Sequence, residues 1–141
     1  MDVREIRDAD ELQAAIDLRR EVFVGEQGVP LSLEVDDHDP VAIHLVAVER
    51  GRVMGTLRLL DDGDAARLGR LAVQRAARRR GLARRLLDAA EAWAREHGRR
   101  RIVLSAQTYA LTLYEGAGYV RQGDVYTEAG IEHVRMERDL A

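Results

Sequence analysis

Five arginines crowd the start of one helical stretch. Arg78, Arg79, Arg80, Arg84 and Arg85 flank Gly81 in the run R-R-R-G-L-A-R-R. A helix N-terminus carries partial positive charge and four backbone N–H groups with no helical partner, so acidic side chains are its ordinary occupants. Guanidiniums there oppose the dipole and repel one another unless an anion lies among them. A phosphate or diphosphate would engage the N–H groups, the dipole and the guanidinium forks together. Gly81 has no side chain to block a ligand from the backbone. The competing reading is a solvated basic helix end.

A second group of reactive side chains lies nearer the N-terminus. Glu26, Glu34, Asp36, Asp37 and Asp39 fall close together with His38, and His44 follows. The order D-D-H-D lacks the regular spacing of a calcium loop, so no metal is expected there. The chain has no cysteine. Thiol nucleophiles, disulfides and Cys/His metal sites are therefore excluded.

These groups need elements to hold them. Leu68, Leu71 and Val73 mark a short strand leading into the arginine loop. After Gly81, Leu82, Leu86, Ala89, Ala90 and Trp93 recur at helical spacing, and Gly98 closes that helix. Residues 101–106 read as the next strand, giving a strand–helix–strand unit with a parallel crossover. Residues 3–7 alternate as a first strand. Asp8 or Asp10 then caps a helix predicted to end near Gly25. Residues 42–49 and 52–60 form a hairpin about Arg50-Gly51. Residues 108–117 read as a short helix. Residues 119–127 and 131–140 read as a last hairpin around residues 128–130. The sum is a mixed α/β pattern.

At R-R-R-G-L-A the sequence resembles a known family. Arg78, Gly81 and Ala83, directly after R-L-A-V, match the coenzyme A diphosphate loop of the GCN5-related N-acetyltransferases. L-Y-E-G-A-G-Y around Tyr114 resembles that family's second motif. F-V-x-E-Q-x-V-P, E-x-D-x-x-D and His44 resemble its ElaA-like branch over residues 19–44. The resemblance implies the mixed α/β fold of that family: a central twisted sheet of six to seven strands flanked by about four helices, in one domain over residues 1–141. It also implies an N-acetyltransferase using acetyl-CoA as co-substrate, without a metal. The acetyl group would pass directly to a primary amine of a small molecule or peptide.

Acetyl transfer needs the thioester held, the amine deprotonated, the oxyanion stabilised and the leaving thiolate protonated. By resemblance, the backbone of Leu71, Ala72 and Val73 holds the pantetheine arm. Arg78, Arg79, Arg80, Gly81, Leu82, Ala83 and Arg84 surround the diphosphate. Gln107 stands where the family often has Asn. Tyr114 is the candidate acid; Leu113, Tyr114 and Ala117 equally form a buried stripe. Glu26, Glu34, Asp36 and His44 are candidates for the base, Glu34 foremost. Phe23, Glu26, Gln27 and His44 are the expected acceptor-binding residues, and the acids suggest an electronegative rim for a cationic amine.

Composition narrows the alternatives. All 22 basic residues are arginine, so the chain has no lysine of its own to acetylate, and the formal net charge is -3. A basic patch on an acidic protein speaks against nucleic acid as the partner. A non-catalytic acyl-CoA-binding regulator would keep the loop and is the remaining rival. The N-terminal residues lack an apolar core of the signal-peptide kind, and no apolar run is long enough to span a bilayer. A cytoplasmic protein without membrane contact is expected, with a homodimer an open possibility.

Overall fold

The computed structural model describes residues 1–30, 36 and 38–141. Seven strands form one sheet: β1 Asp2–Glu5, β2 Ile43–Glu49, β3 Arg52–Asp62, β4 Ala65–Val73, β5 Arg101–Gln107, β6 Val120–Glu128 and β7 Ile131–Asp139. Their order across the sheet is β1-β2-β3-β4-β5-β7-β6, and only β4 and β5 are parallel. Three α-helices accompany it among the described residues: α1 Ala9–Arg19, α2 Leu82–Glu96 and α3 Leu111–Gly116.

This is the expected mixed α/β arrangement, with one local departure after α1. Asp8 caps α1 by accepting from the Glu11 N–H at 2.9 Å. Past Arg19 the chain does not stop but widens into a π-helix, Arg20–Glu26. Such insertions are uncommon and frequently sit at functional sites. The expected helix over residues 108–117 begins as a 3₁₀ turn, Thr108–Ala110, and Gln107 is both the last residue of β5 and the N-cap residue of that turn.

The two faces of the sheet are covered differently. On one face, Leu18 and Val22 pack with Ala72, joined by Phe23 and Val53. On the other, Leu82, Leu86, Leu87, Ala90 and Ala94 of α2 join Leu45, Leu57, Leu59, Leu68, Ile102 and Leu104 in the main core. The alternation of a strand sends Ala72 to α1, while Leu71 and Val73 pack against the α2 side. Gly55 allows this close approach: a Cβ there would meet Leu86 Cδ1 at 2.9 Å.

In the last hairpin, β7 lies between β5 and β6. His133, Val134 and Met136 are buried on β7, whereas every residue of β6 is exposed. No helix among the described residues is long and apolar enough to cross a membrane.

Candidate active site

The site begins where two parallel strands part. β4 pairs with β5 only from Ala65↔Arg101 to Leu68↔Leu104. Beyond that, residues 105–107 of β5 pair with β7, and Gly69, Ala72 and Val73 of β4 pair with β3. Arg70 has φ 55 at an irregularity in the β3–β4 register, a bulge that bends β4 away. Past the bulge, Gln74 N donates to Met54 O at 2.8 Å. By the antiparallel pattern, Val73 then turns its own N–H and C=O away from β3, into the gap. A strand edge facing a gap can bind an extended, amide-bearing ligand as an added strand would. This is the segment assigned to the pantetheine arm, and the divergence of the strands has no signature in the sequence.

The arginine loop closes the end of the gap. Gln74 Oε1 accepts from Ala76 N at 2.7 Å and starts a 3₁₀ turn, Arg75–Ala77. The chain then reverses through Arg79, φ 64, and Gly81, φ 76. Gly81 is the N-cap of α2; no side chain caps that helix and its first turn holds no acid. Val73, Ala77, Arg78, Arg79, Gly81, Leu82, Ala83, Arg84 and Leu113 line a cleft of about 250 Å³ here. Uncapped N–H groups, a glycine with nothing within 4 Å of a built Cβ and arginines at the rim suit a diphosphate group.

The charge conflict seen in the sequence is met by acids from distant elements. Arg78 Nη2 donates to Glu26 Oε2 at 2.9 Å, its Nη1 lies 2.9 Å from Oε1, and Arg75 Nη2 is 3.4 Å from Oε1. Arg78 Nε donates to Val73 O at 3.0 Å. Arg80 Nη2 donates to Glu49 Oε2 at 2.5 Å. Arg84 bonds Asp88 at 3.3 Å and, through Nη1, the Gly116 carbonyl at 3.1 Å, tying α2 to α3. Arg85 donates to Met1 O at 3.2 Å. The hydrogen bond from Arg78 holds the Glu26 carboxyl below its ordinary pKa.

Tyr114 is buried on α3, its ring edge-on to Tyr119 with centroids 5.8 Å apart. Burial pushes its phenol well above the usual value, so it is protonated at neutral pH. Its neighbour Leu113 lines the cleft of the arginine loop. Gln107 Nε2 donates to Gln27 Oε1 at 2.7 Å, and Gln27 Nε2 donates to the Tyr109 hydroxyl at 3.0 Å. Glu26 and Gln27 are consecutive, yet one is tied to the loop after β4 and the other to the end of β5. The end of the π-helix therefore bridges the two banks of the gap. Sequence reasoning singled out both residues but had no signal for the bridge.

The other expected acceptor residues are placed differently. His44 is buried, with Nε2 bonded to Asp39 O at 2.9 Å, so it braces a turn. Phe23 packs into the α1-side cluster. Glu34 and Asp37 lie outside the described residues.

The remaining described acids of that segment do not form a free rim. Asp39 accepts from Arg19 at 2.7 and 3.1 Å and from Arg58 at 3.0 Å; all three side chains are buried. Asp36 takes Arg58 at 2.7 and 2.9 Å and Arg70 at 3.3 Å. Burial raises the Asp39 carboxyl, but Arg19 and Arg58 outweigh it and leave it well below the usual range. Arg58 likewise lowers Asp36. These acids spend their charge fastening residues 36–39 to α1, β3 and the β4 bulge. Sequence reading missed Arg19, Arg58 and Arg70, since nothing in spacing sets them apart from the other arginines.

The sequence and the fold match those of known proteins. The family described as "Acetyltransferase (GNAT) domain" matches residues 7–140. The uncharacterized N-acetyltransferase YjcF of Bacillus subtilis (strain 168) is 31% identical over 134 residues, 94% of this chain and 96% of that one. The crystal structure of an acyl-CoA N-acyltransferase from Pseudomonas aeruginosa superposes with TM-score 0.87 at 35% identity, over 98% of this chain and 99% of the other. Escherichia coli ElaA shares the fold, with TM-score 0.85 at 23% identity over 97% of both chains.

Proposed function

Because the chain belongs to the GNAT acetyltransferase family, we propose that it transfers the acetyl group of acetyl-CoA to a primary amine of a small molecule or peptide. The observation that carries this reading is the uncapped N-terminus of α2, opened by Gly81 at the end of a strand that has left its parallel neighbour. The diphosphate would rest on the amides of Leu82 and Ala83, with Arg78 and Arg79 beside it. The backbone of Val73 faces the gap along which the pantetheine arm would lie, with Leu71 and Ala72 preceding it on β4. Acetyl-CoA supplies the thioester; the chain supplies position, charge and a proton. Tyr114, buried and protonated, is the proposed donor to the departing thiolate. The amine attacks directly; an intermediate acylated on cysteine is excluded, because the chain has no cysteine.

The test is ligand-dependent stability followed by turnover. Acetyl-CoA at a hundredfold excess over its dissociation constant should stabilise the fold by about 2.7 kcal/mol. A truncated donor lacking the 3′,5′-ADP half should lose most of that effect. Thiol release against a panel of amines then separates an enzyme from a binding protein. An unchanged melting temperature with no calorimetric heat refutes the proposal.

A further inference from the structure

The bridge over the gap has a chemical consequence that rests on the acetyl-CoA reading. A guanidinium offers two edges with paired N–H donors: the Nη1/Nη2 end and the Nε/Nη2 side. In Arg78 the end edge faces both oxygens of Glu26, at 2.9 and 2.9 Å. The side edge has its Nε given to the Val73 carbonyl at 3.0 Å. No complete edge remains for a phosphate. A phosphate that binds Arg78 through two parallel hydrogen bonds must displace one of these partners.

Glu26 is the partner that can leave. It is a carboxylate, matching a phosphate oxygen pair in charge and spacing. It sits on the last residue of the π-helix rather than in the sheet. Gln27, one residue on, is held separately by Gln107 and Tyr109. The segment therefore stays over the gap when the Glu26 contact is exchanged.

We propose that Glu26 is an internal competitor of the coenzyme A diphosphate for Arg78, and that the donor releases its carboxylate to hold the ammonium group of the acceptor amine. Binding is then ordered. The donor arrives first, neutralises Arg78 and Arg75, and uncovers a negative charge between the two strand ends. Before that exchange, Arg75 and Arg78 mask Glu26 from a cationic acceptor. The exchange also selects acceptors: a positively charged amine meets a carboxylate only in the donor complex.

The experiment uses acetyl-CoA binding and steady-state kinetics on the wild type, Glu26→Gln and the remote control Asp62→Asn. Asp62 pairs with Arg67 on the exposed surface. Glu26→Gln should bind acetyl-CoA about two- to fivefold more tightly, the loss of a partly exposed ion pair. Its KM for the acceptor amine should rise at least tenfold, and dead-end inhibition by an acceptor analogue, uncompetitive against acetyl-CoA in the wild type, should become noncompetitive. Asp62→Asn should match the wild type in all three. Unchanged or weaker acetyl-CoA binding in Glu26→Gln overturns the competition, and an unchanged acceptor KM overturns the anchoring. Failure of acetyl-CoA to bind the wild type is a different result, because it refutes the acetyl-CoA reading itself.

Discussion

Substitution of Gly81 by glutamate puts the anion site to its most direct test. Two separate effects follow from the geometry. Gly81 has φ 76, a left-handed conformation, in which a side chain costs about 1–2 kcal/mol. For a chain of 141 residues that should lower the melting temperature by about 3–10 °C. No protein atom lies within 4 Å of a Cβ built there, so no steric penalty from the fold adds to the strain. The second effect is electrostatic. A carboxylate about 5 Å from a diphosphate charge, at an effective dielectric between 20 and 80, opposes it by about 1–3 kcal/mol, or roughly 5- to 150-fold in affinity. Gly81→Ala carries the same strain without the charge. Thermal melts and acetyl-CoA titration calorimetry on both variants therefore separate the two effects. Equal melting losses, with a much larger binding loss for glutamate, are the expected pattern. A Gly81→Glu protein that binds acetyl-CoA as the wild type does would show that no anion rests on this helix end.

Two further substitutions probe the chemistry and the frame. Tyr114→Phe keeps the edge-on packing against Tyr119 and removes only the hydroxyl. If that hydroxyl protonates the thiolate, kcat at saturating substrates should fall by about 10²–10⁴ with little change in stability; an unchanged kcat leaves the residue as packing. Asp39→Asn removes the carboxylate that Arg19 and Arg58 share, while Asp36 still holds Arg58, and urea denaturation should show a loss of about 1–3 kcal/mol; a loss below 1 kcal/mol would show the network to be dispensable. The same network sets the acid response. Asp36 and Asp39 are held below the ordinary carboxylate range in the fold, so the unfolded chain takes up protons first as pH falls. Their contribution is complete above the ordinary range and is lost as the pH drops through and below it, at about pH 4 and under. Stability measured from pH 7 to 3 should decline for the wild type and be flatter for Asp39→Asn.

Taken alone, the sequence determined the local elements and singled out the loop proposed to hold the donor. Apolar spacing marks β4, α2 and β5, and glycine marks the turns. Charge of the wrong sign at a helix start singles out the loop proposed to bind an anion without any view of the fold. These signals are legible because each depends on residues within a turn or a strand of one another. Tertiary structure alone decided where the charges go. Glu26 reaches Arg78 across 52 positions, and Glu49 reaches Arg80 across 31. No periodicity encodes such pairs, so Glu26, Asp36 and Asp39, which read as part of an open rim, proved to be partners of Arg78, Arg58, Arg70 and Arg19. Strand divergence was hidden for a similar reason. Residues 69–73 read as ordinary strand, because whether a backbone edge is paired depends on the neighbour's path and not on its own side chains. The final hairpin shows the same division: its two strands and turn are local, whereas the insertion of β7 beside β5 follows from which strand buries His133, Val134 and Met136 against the core.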